Sequence, residues 1–332
     1  MKTRRDFLLG SSMTAAAWLT RGTALAQAAG QNTGAPQAPA VNTNPAVQPN
    51  ADLAQQLRTA AATEKIKTTR LTDTIFLLQG VGGNVVCQIG PDGKLLIDSQ
   101  ISTGTDHLKD ALSKLDAHRL KLLINTHFHF DHTDGNAALH LDGAFIIAQD
   151  NTRSRLLKPQ TIQAYAANFP AAPDAGLPQA TFSESETLWV NNDQQDLVHA
   201  PDAHTDSDIF VHFNKGNVIH TGDLWFNGMY PLIDTGSGGS INGMIRGVDE
   251  VLSRADERTK IVPGHGQLGD KTALQGYREM LVTVADRVER LKAQGKTVQE
   301  AVAAKPTADL DATWAKGSIQ AGTFVALVYD SL

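Results

Sequence analysis

Cysteine is almost missing from this 332-residue chain: Cys87 is the single thiol, so no internal disulfide can staple the fold. Excess basic charge is missing as well. Lys and Arg number 29 against 35 Asp and Glu, and the resulting formal charge of −6 offers nothing that would neutralise a phosphate backbone or an anionic lipid surface. Nucleic acid is therefore not expected as a partner. Apolar runs are short, and none after the first thirty residues approaches the roughly 20 residues that span a bilayer. No repeat at a solenoid period is visible. The Gly-rich stretch Gly236-Ser237-Gly238-Gly239 is no phosphate-binding loop, since the Lys and the preceding strand are absent; a surface turn and a cleft lining are the two readings left for it. What is present in quantity is apolar material: 41% of the residues are hydrophobic, enough for a large buried core.

The first thirty residues read as an address. Met1 to Arg5 is short and basic, Phe7 to Trp18 is apolar, and Ala24-Leu25-Ala26 supplies a small-x-small cleavage site after Ala26. The run Arg4-Arg5-Asp6-Phe7-Leu8-Leu9 resembles a twin-arginine signal, which implies recognition by the twin-arginine export machinery and delivery of folded protein to the periplasm. Arg21 cuts the apolar run short, so no permanent membrane anchor is expected. From Gln27 onward Ala, Pro, Gln and Asn dominate, a composition that cannot bury enough apolar area to offset its ordering entropy. A disordered linker is expected over 27–60.

Beyond it, Thr74 to Gln79, Val85 to Ile89 and Lys94 to Ile97 are β-rich runs parted by Gly-rich and Pro-Asp-Gly turns, which predicts a meander. Cys87 lies inside the second run and reads as a small buried hydrophobe. Thr103 to Leu115 has helical spacing and Leu120 to Ile124 is a continuous apolar run, which predicts a β-α-β unit. Strands follow at Ala144 to Ala148, Asp196 to Ala200, Ile209 to Phe213 and Val218 to His220, and helices at Ile241 to Ala255, Lys271 to Ala293 and Val298 to Ala304. Two successive series of strands and helices predict two central sheets with helices outside.

Directly after the run ending at Ile124 comes Asn125-Thr126-His127-Phe128-His129-Phe130-Asp131-His132-Thr133-Asp134-Gly135-Asn136, with three imidazoles and a carboxylate in six consecutive positions. That density points to a metal site, presented from a loop at the carboxyl end of a buried strand. His204 and His265 each follow a strand-like run, and Asp223 follows Val218-Ile219-His220, so all could reach one sheet edge. Two zinc ions need about three or four N and O ligands each, with a position open for water, and the candidates match that demand.

With these residues in view the chain resembles the metallo-β-lactamase superfamily. The resemblance rests on Asp98 after Leu95-Leu96-Ile97, the His127 to His132 cluster, His204 in Ala203-His204-Thr205-Asp206, Asp223 in Thr221-Gly222-Asp223, and His265 in Pro263-Gly264-His265-Gly266. It implies an α+β four-layer αββα sandwich over 65–295, followed by a helical extension over 296–332. It also implies a ligand set: His127, His129 and His204 on one metal, Asp131, His132 and His265 on a second, and Asp223 between them. Asp98 would orient a ligand by accepting its outer N–H. His107, His118, His140, His199, His212 and His220 are given no role beyond packing or surface.

The activity implied is that of a hydrolase with two Zn2+ per chain, iron or manganese being the alternatives. A metal-bridging hydroxide would attack the carbonyl of a small-molecule lactam, lactone, ester or thioester, with Asp131 handling a proton. Class B β-lactamases usually carry Cys or Ser where this chain has Asp223, and Leu224-Trp225-Phe226-Asn227 offers no cation for a substrate carboxylate. Trp225, Phe226 and Tyr230 are candidates for an apolar cleft wall or for core. The rival readings are an iron-dependent persulfide oxidoreductase and a non-catalytic metal-binding protein of a periplasmic redox pathway.

Overall fold

The structure is a computed structural model in which residues 53–332 are described. Arg4 and Arg5, the cleavage site at Ala26 and the linker as far as residue 52 lie outside them. The last part of the expected linker is not a linker. α1 (Leu53–Ala61) is a helix, and nine residues are too few to hold a helix in water without tertiary contacts. Those contacts exist: Thr103 Oγ1 donates to the Arg58 carbonyl at 2.7 Å, and Arg58 pairs with Asp134 at 3.4 Å. Composition hid them, because both partners come from residues far along the chain.

The first sheet opens as the expected meander, β1 (Lys67–Arg70), β2 (Ile75–Gln79), β3 (Val85–Gln88) and β4 (Lys94–Ile97), all antiparallel. α2 (Thr105–Leu115) then crosses to β5 (Leu120–Ile124), parallel to β4. Two short helices, α3 (Phe130–Thr133) and α4 (Asn136–Leu141), precede β6 (Phe145–Gln149), parallel to β5. α5 (Asp150–Leu156) and a separate ribbon of β7 (Gln160–Ile162) and β8 (Ala167–Phe169) lead to β9 (Ala180–Phe182), which closes the edge beside β6. The second sheet runs β10 (Ser185–Val190), β11 (Asp193–His199), β12 (Ile209–Phe213), β13 (Val218–His220), β14 (Lys260–Val262), with α6 (Ile241–Arg254) between the last two. α7 (Lys271–Ala293), α8 (Val298–Ala303), α9 (Asp311–Trp314) and α10 (Ala321–Ser331) complete the chain. Among the described residues no helix is long and apolar enough to cross a membrane.

Side-chain alternation explains the layers. Successive strand residues point to opposite faces, so apolar runs with no polar partner must be covered on both sides. Leu77, Val86, Leu95 and Ile97 face the second sheet and pack with Leu197, Ile209, Val211 and Phe213. Their neighbours Leu78, Val85, Cys87 and Leu96 face outward beneath Leu108 and Leu112 of α2 and Leu139 of α4. The other side of the second sheet is covered by α6, α7 and α10. The result is the αββα sandwich. Cys87 is fully buried within it, and burial pushes its thiol up to about 12, so it is inert packing.

The boundary expected at 295 is not a boundary of packing. Phe324, Val325 and Val328 of α10 share one apolar cluster with Met244 and Val248 of α6 and Leu281 and Val284 of α7. The helical spacing of 298–304 was visible in sequence, but not which layer it completes.

Candidate metal centre

Every proposed ligand leaves the carboxyl end of a strand or the loop just beyond it, so the sandwich gathers them along one edge. Asp98 follows β4, His127 to His132 follow β5, and His204 lies between β11 and β12. Asp223 follows β13 and His265 follows β14. The donor atoms of His127, His129, His204 and Asp223 form one group and those of Asp131, His132 and His265 a second. Asp223 reaches both: its Oδ2 is 3.4 Å from His204 Nε2 and 3.4 Å from His265 Nε2, and its Oδ1 is 3.1 Å from His132 Nε2. Asp131 Oδ2 lies 3.2 Å from His265 Nε2. Thus the structure brings all seven sequence-predicted ligands together.

The surrounding hydrogen bonds settle which ring nitrogens carry protons. His204 Nδ1 donates to the Leu232 carbonyl at 2.8 Å, leaving a lone pair on Nε2. His129 Nε2 meets Asp234 Oδ2 at 3.0 Å, which leaves the lone pair of the neutral ring on Nδ1. His204 Nε2 and His129 Nδ1 lie 2.9 Å apart, within hydrogen-bonding distance. Thr126 gives its hydroxyl proton to Asp98 Oδ2 at 2.7 Å and so receives His127 Nδ1–H at 3.1 Å. His127 Nε2 is consequently bare, buried and without a hydrogen-bond partner, as is Asp223 Oδ1 despite the nearby His132 nitrogen. Lone pairs converging in a dry pocket repel unless a cation sits between them, so this donor set fits a metal.

Asp98 serves both groups. Its Oδ1 accepts the Thr126 backbone N–H at 2.7 Å, and its Oδ2 accepts both the Thr126 hydroxyl and His132 Nδ1–H, each at 2.7 Å. It holds φ at 66°, a left-handed conformation that Asp tolerates better than most residues. Close approach at two other positions demands glycine: a Cβ on Gly83 would overlap the His132 ring, and one on Gly264 would overlap Asp223 Oδ1.

Electrostatics divide the imidazoles into two kinds. Burial drives His127 well below its ordinary value and His204 down to about 4, so both are neutral donors. Burial also opposes protons on His132 and His265, but the carboxylates of Asp223 and Asp131 outweigh it, lifting His132 well up and His265 to about 9. Asp131 feels the converse. Burial would raise it, yet His132 and His265 bring it down to about 2. Without a cation the second group thus balances its carboxylates with imidazolium protons, which a metal would displace.

One residue that serves the candidate site escaped the sequence reading. Asp234 is buried, 105 positions from His129, and is braced by Ser237 Oγ at 2.6 Å. The Gly236 to Gly239 stretch is a surface turn, with Gly236 and Gly238 exposed, and the Gly239 N–H bonds the Asp234 carbonyl, so the turn also braces Asp234. His220, which was given no role, is fully buried; its Nε2 bonds the Asn84 carbonyl at 2.9 Å and its Nδ1 accepts the Gly222 N–H at 3.1 Å. A carboxylate alone in a Gly-Ser turn carries no spacing signal, though the aspartate before that turn was visible. Trp225 is wholly core, while Phe226 and Tyr230 border a cavity of about 310 Å3 that opens on Asp131, Asp223 and His265.

Comparison with known proteins agrees with this geometry. Residues 79–265 match the family model of the metallo-beta-lactamase superfamily. Among solved structures, the metallo-beta-lactamase from Pontibacter korlensis is 17% identical, with TM-score 0.55 over 65% of this chain and 99% of that one. The DIM-1 metallo-beta-lactamase is 21% identical, with TM-score 0.53 over 66% and 98%. The stereoselective inverting sec-alkylsulfatase Pisa1 from Pseudomonas sp. is 17% identical, with TM-score 0.59 over 85% of this chain and 53% of that one. At these identities the likeness is one of fold. Comparison with curated protein sequences finds no match.

Proposed function

The chain belongs to the metallo-beta-lactamase superfamily, and on that premise we propose that it is an exported hydrolase using two zinc ions to cleave a small carbonyl compound: an ester, lactone, thioester or lactam. The observation that carries the reading is the pair of donor groups sharing Asp223, with bare lone pairs in a dry pocket. Bound there, divalent metals supply Lewis acidity and a water whose pKa falls from 15.7 to about 7. His127, His129 and His204 would hold one ion, Asp131, His132 and His265 the other, and Asp223 both. Asp98 and Asp234 hold ring protons on the outer nitrogens and so keep the lone pairs aimed inward. Asp131, which borders the cavity, would orient the attacking water and carry its proton to the leaving group.

The test is a hydrolysis screen of the zinc-loaded protein against nitrocefin, lactones, thioesters and carboxylic esters, with a sec-alkyl sulfate added because of the sulfatase likeness. Metal analysis runs beside it. Turnover of a carbonyl substrate with two zinc per chain supports the proposal, and a single iron per chain with no hydrolysis overturns it. Export by the twin-arginine route belongs to the same proposal: Arg4→Lys with Arg5→Lys should trap the precursor in the cytoplasm.

A further inference from the structure

The cavity over the metal centre has walls whose chemistry narrows the substrate. Outside the ligands, and apart from the hydroxyl-bearing Tyr165, Tyr230 and Ser318, its walls are apolar, among them Leu57, Val81, Ile162, Phe226, Met229 and Leu232. The carboxylates on it, Asp131 and Asp223, are already paired with His265 at 3.2 and 3.4 Å, and among the described residues neither Lys nor Arg borders it. The nearest helix shows how the cations are kept away. Leu57 of α1 faces the cavity, whereas the next residue, Arg58, turns into a neighbouring cavity, pairs with Asp134 and lies over the Phe130 ring at 5.5 Å.

A single polar bridge crosses the apolar part. Tyr165, from the turn between β7 and β8, shares a hydrogen bond with Ser318, from the segment before α10, at 3.3 Å. Both residues border the cavity, and a hydroxyl of the pair can give a hydrogen bond to a neutral acceptor such as a carbonyl or ether oxygen. Neither can balance an anion. Leu57 and Ser318 lie outside residues 79–265, the part of the chain that the family model matches.

We infer that the cavity admits an uncharged substrate with an apolar body, a neutral ester or lactone, and rejects carriers of a free carboxylate, with Leu57 and the Tyr165–Ser318 pair as the selecting residues. The inference rests on the hydrolase reading for the identity of the reacting bond. Its physical core is separate: a carboxylate held against the apolar walls loses its water and finds no Lys or Arg there, while the imidazole of His265 is already engaged by Asp131 and Asp223.

Because binding can be measured without turnover, the two ideas can fail independently. The probes are butyrophenone and 4-oxo-4-phenylbutanoate, ketones alike in shape that differ by one carboxylate and cannot be hydrolysed. Calorimetric titration is run on the zinc-loaded protein and again on the chelated protein, where a probe carboxylate has no metal to bind. The chelated wild type should bind the neutral ketone at least about tenfold more tightly, and Leu57→Arg should narrow or reverse that ratio. On the zinc-loaded protein, 4-nitrophenyl butyrate should be cleaved with kcat/KM at least about tenfold above that of the matching hemisuccinate. Equal or tighter binding of the anion by chelated wild type overturns the inference, whether or not the variant folds. Selective binding of the neutral ketone with no ester cleaved would uphold the cavity's selectivity and refute the hydrolase.

Discussion

At the scale of single residues the centre is a contest between protons and metal. Burial keeps His127 and His204 unprotonated, with His204 down to about 4. Between pH 4 and 6.5 the unfolded chain therefore holds more protons, and stability falls as pH drops through that window. His265 acts oppositely. Burial works against its proton, yet Asp223 and Asp131 lift it to about 9, so the folded state holds the extra proton and stability falls as pH rises from 6.5 through 9. The chelated protein should accordingly melt highest near pH 6.5. A melting profile across the range checks this, and a midpoint that climbs steadily to the alkaline end would contradict it. Asp234 invites a second prediction at this scale. Asp234→Ala removes the partner of His129 Nε2–H and should weaken zinc binding by about 10–100-fold in a competition titration against a chromophoric chelator. The seven candidate ligands were readable because imidazoles crowd together in one motif and recur inside others. Asp234 was not, because what it does depends on a contact across 105 positions.

Among elements, the strands and long helices with an unbroken apolar pattern were found within a residue or two, as at Leu120–Ile124, Ile209–Phe213 and Lys271–Ala293. Short or polar ones were not. β1 reads Lys-Thr-Thr-Arg and is held as a strand only by pairing with β2. The loops between elements carry the least visible work. Asn84, after the Gly82-Gly83 turn, gives its backbone N–H to the Gly264 carbonyl at 2.7 Å. Its side chain donates to the Pro263 and Gly266 carbonyls at 2.9 and 3.0 Å. It thereby ties the β2–β3 loop of one sheet to the loop that presents His265 from the other. Asn84→Ala leaves the buried Pro263 carbonyl without its side-chain donor, which costs about 1–3 kcal/mol. The variant should lose that much in denaturant unfolding and should release its second zinc first, read by stepwise chelation. Unchanged affinity for both ions would mean that the tie does not position His265.

Across the whole molecule the described chain is one packed body, although composition suggested a core domain with appendages. Phe324, Val325 and Val328 are each no more than 1% exposed, and their burial is worth roughly 5–9 kcal/mol together, against a typical total stability of about 5–15. A chain ended at residue 295 should therefore fail to fold; circular dichroism and dye binding would show it, and a cooperative melt of the truncated protein would prove the prediction wrong. The ligand spacing has a consequence for how such a molecule is made. His129 and His204 are 75 positions apart, and His132 and His265 are 133 apart. A nascent chain thus displays the motif at 127–132 long before either donor group exists, and loading must wait until the second sheet has docked against the first. On the proposed metal-binding reading, metal content then becomes a gauge of assembly: ions counted per chain in a preparation would report the fraction of molecules whose two halves have closed.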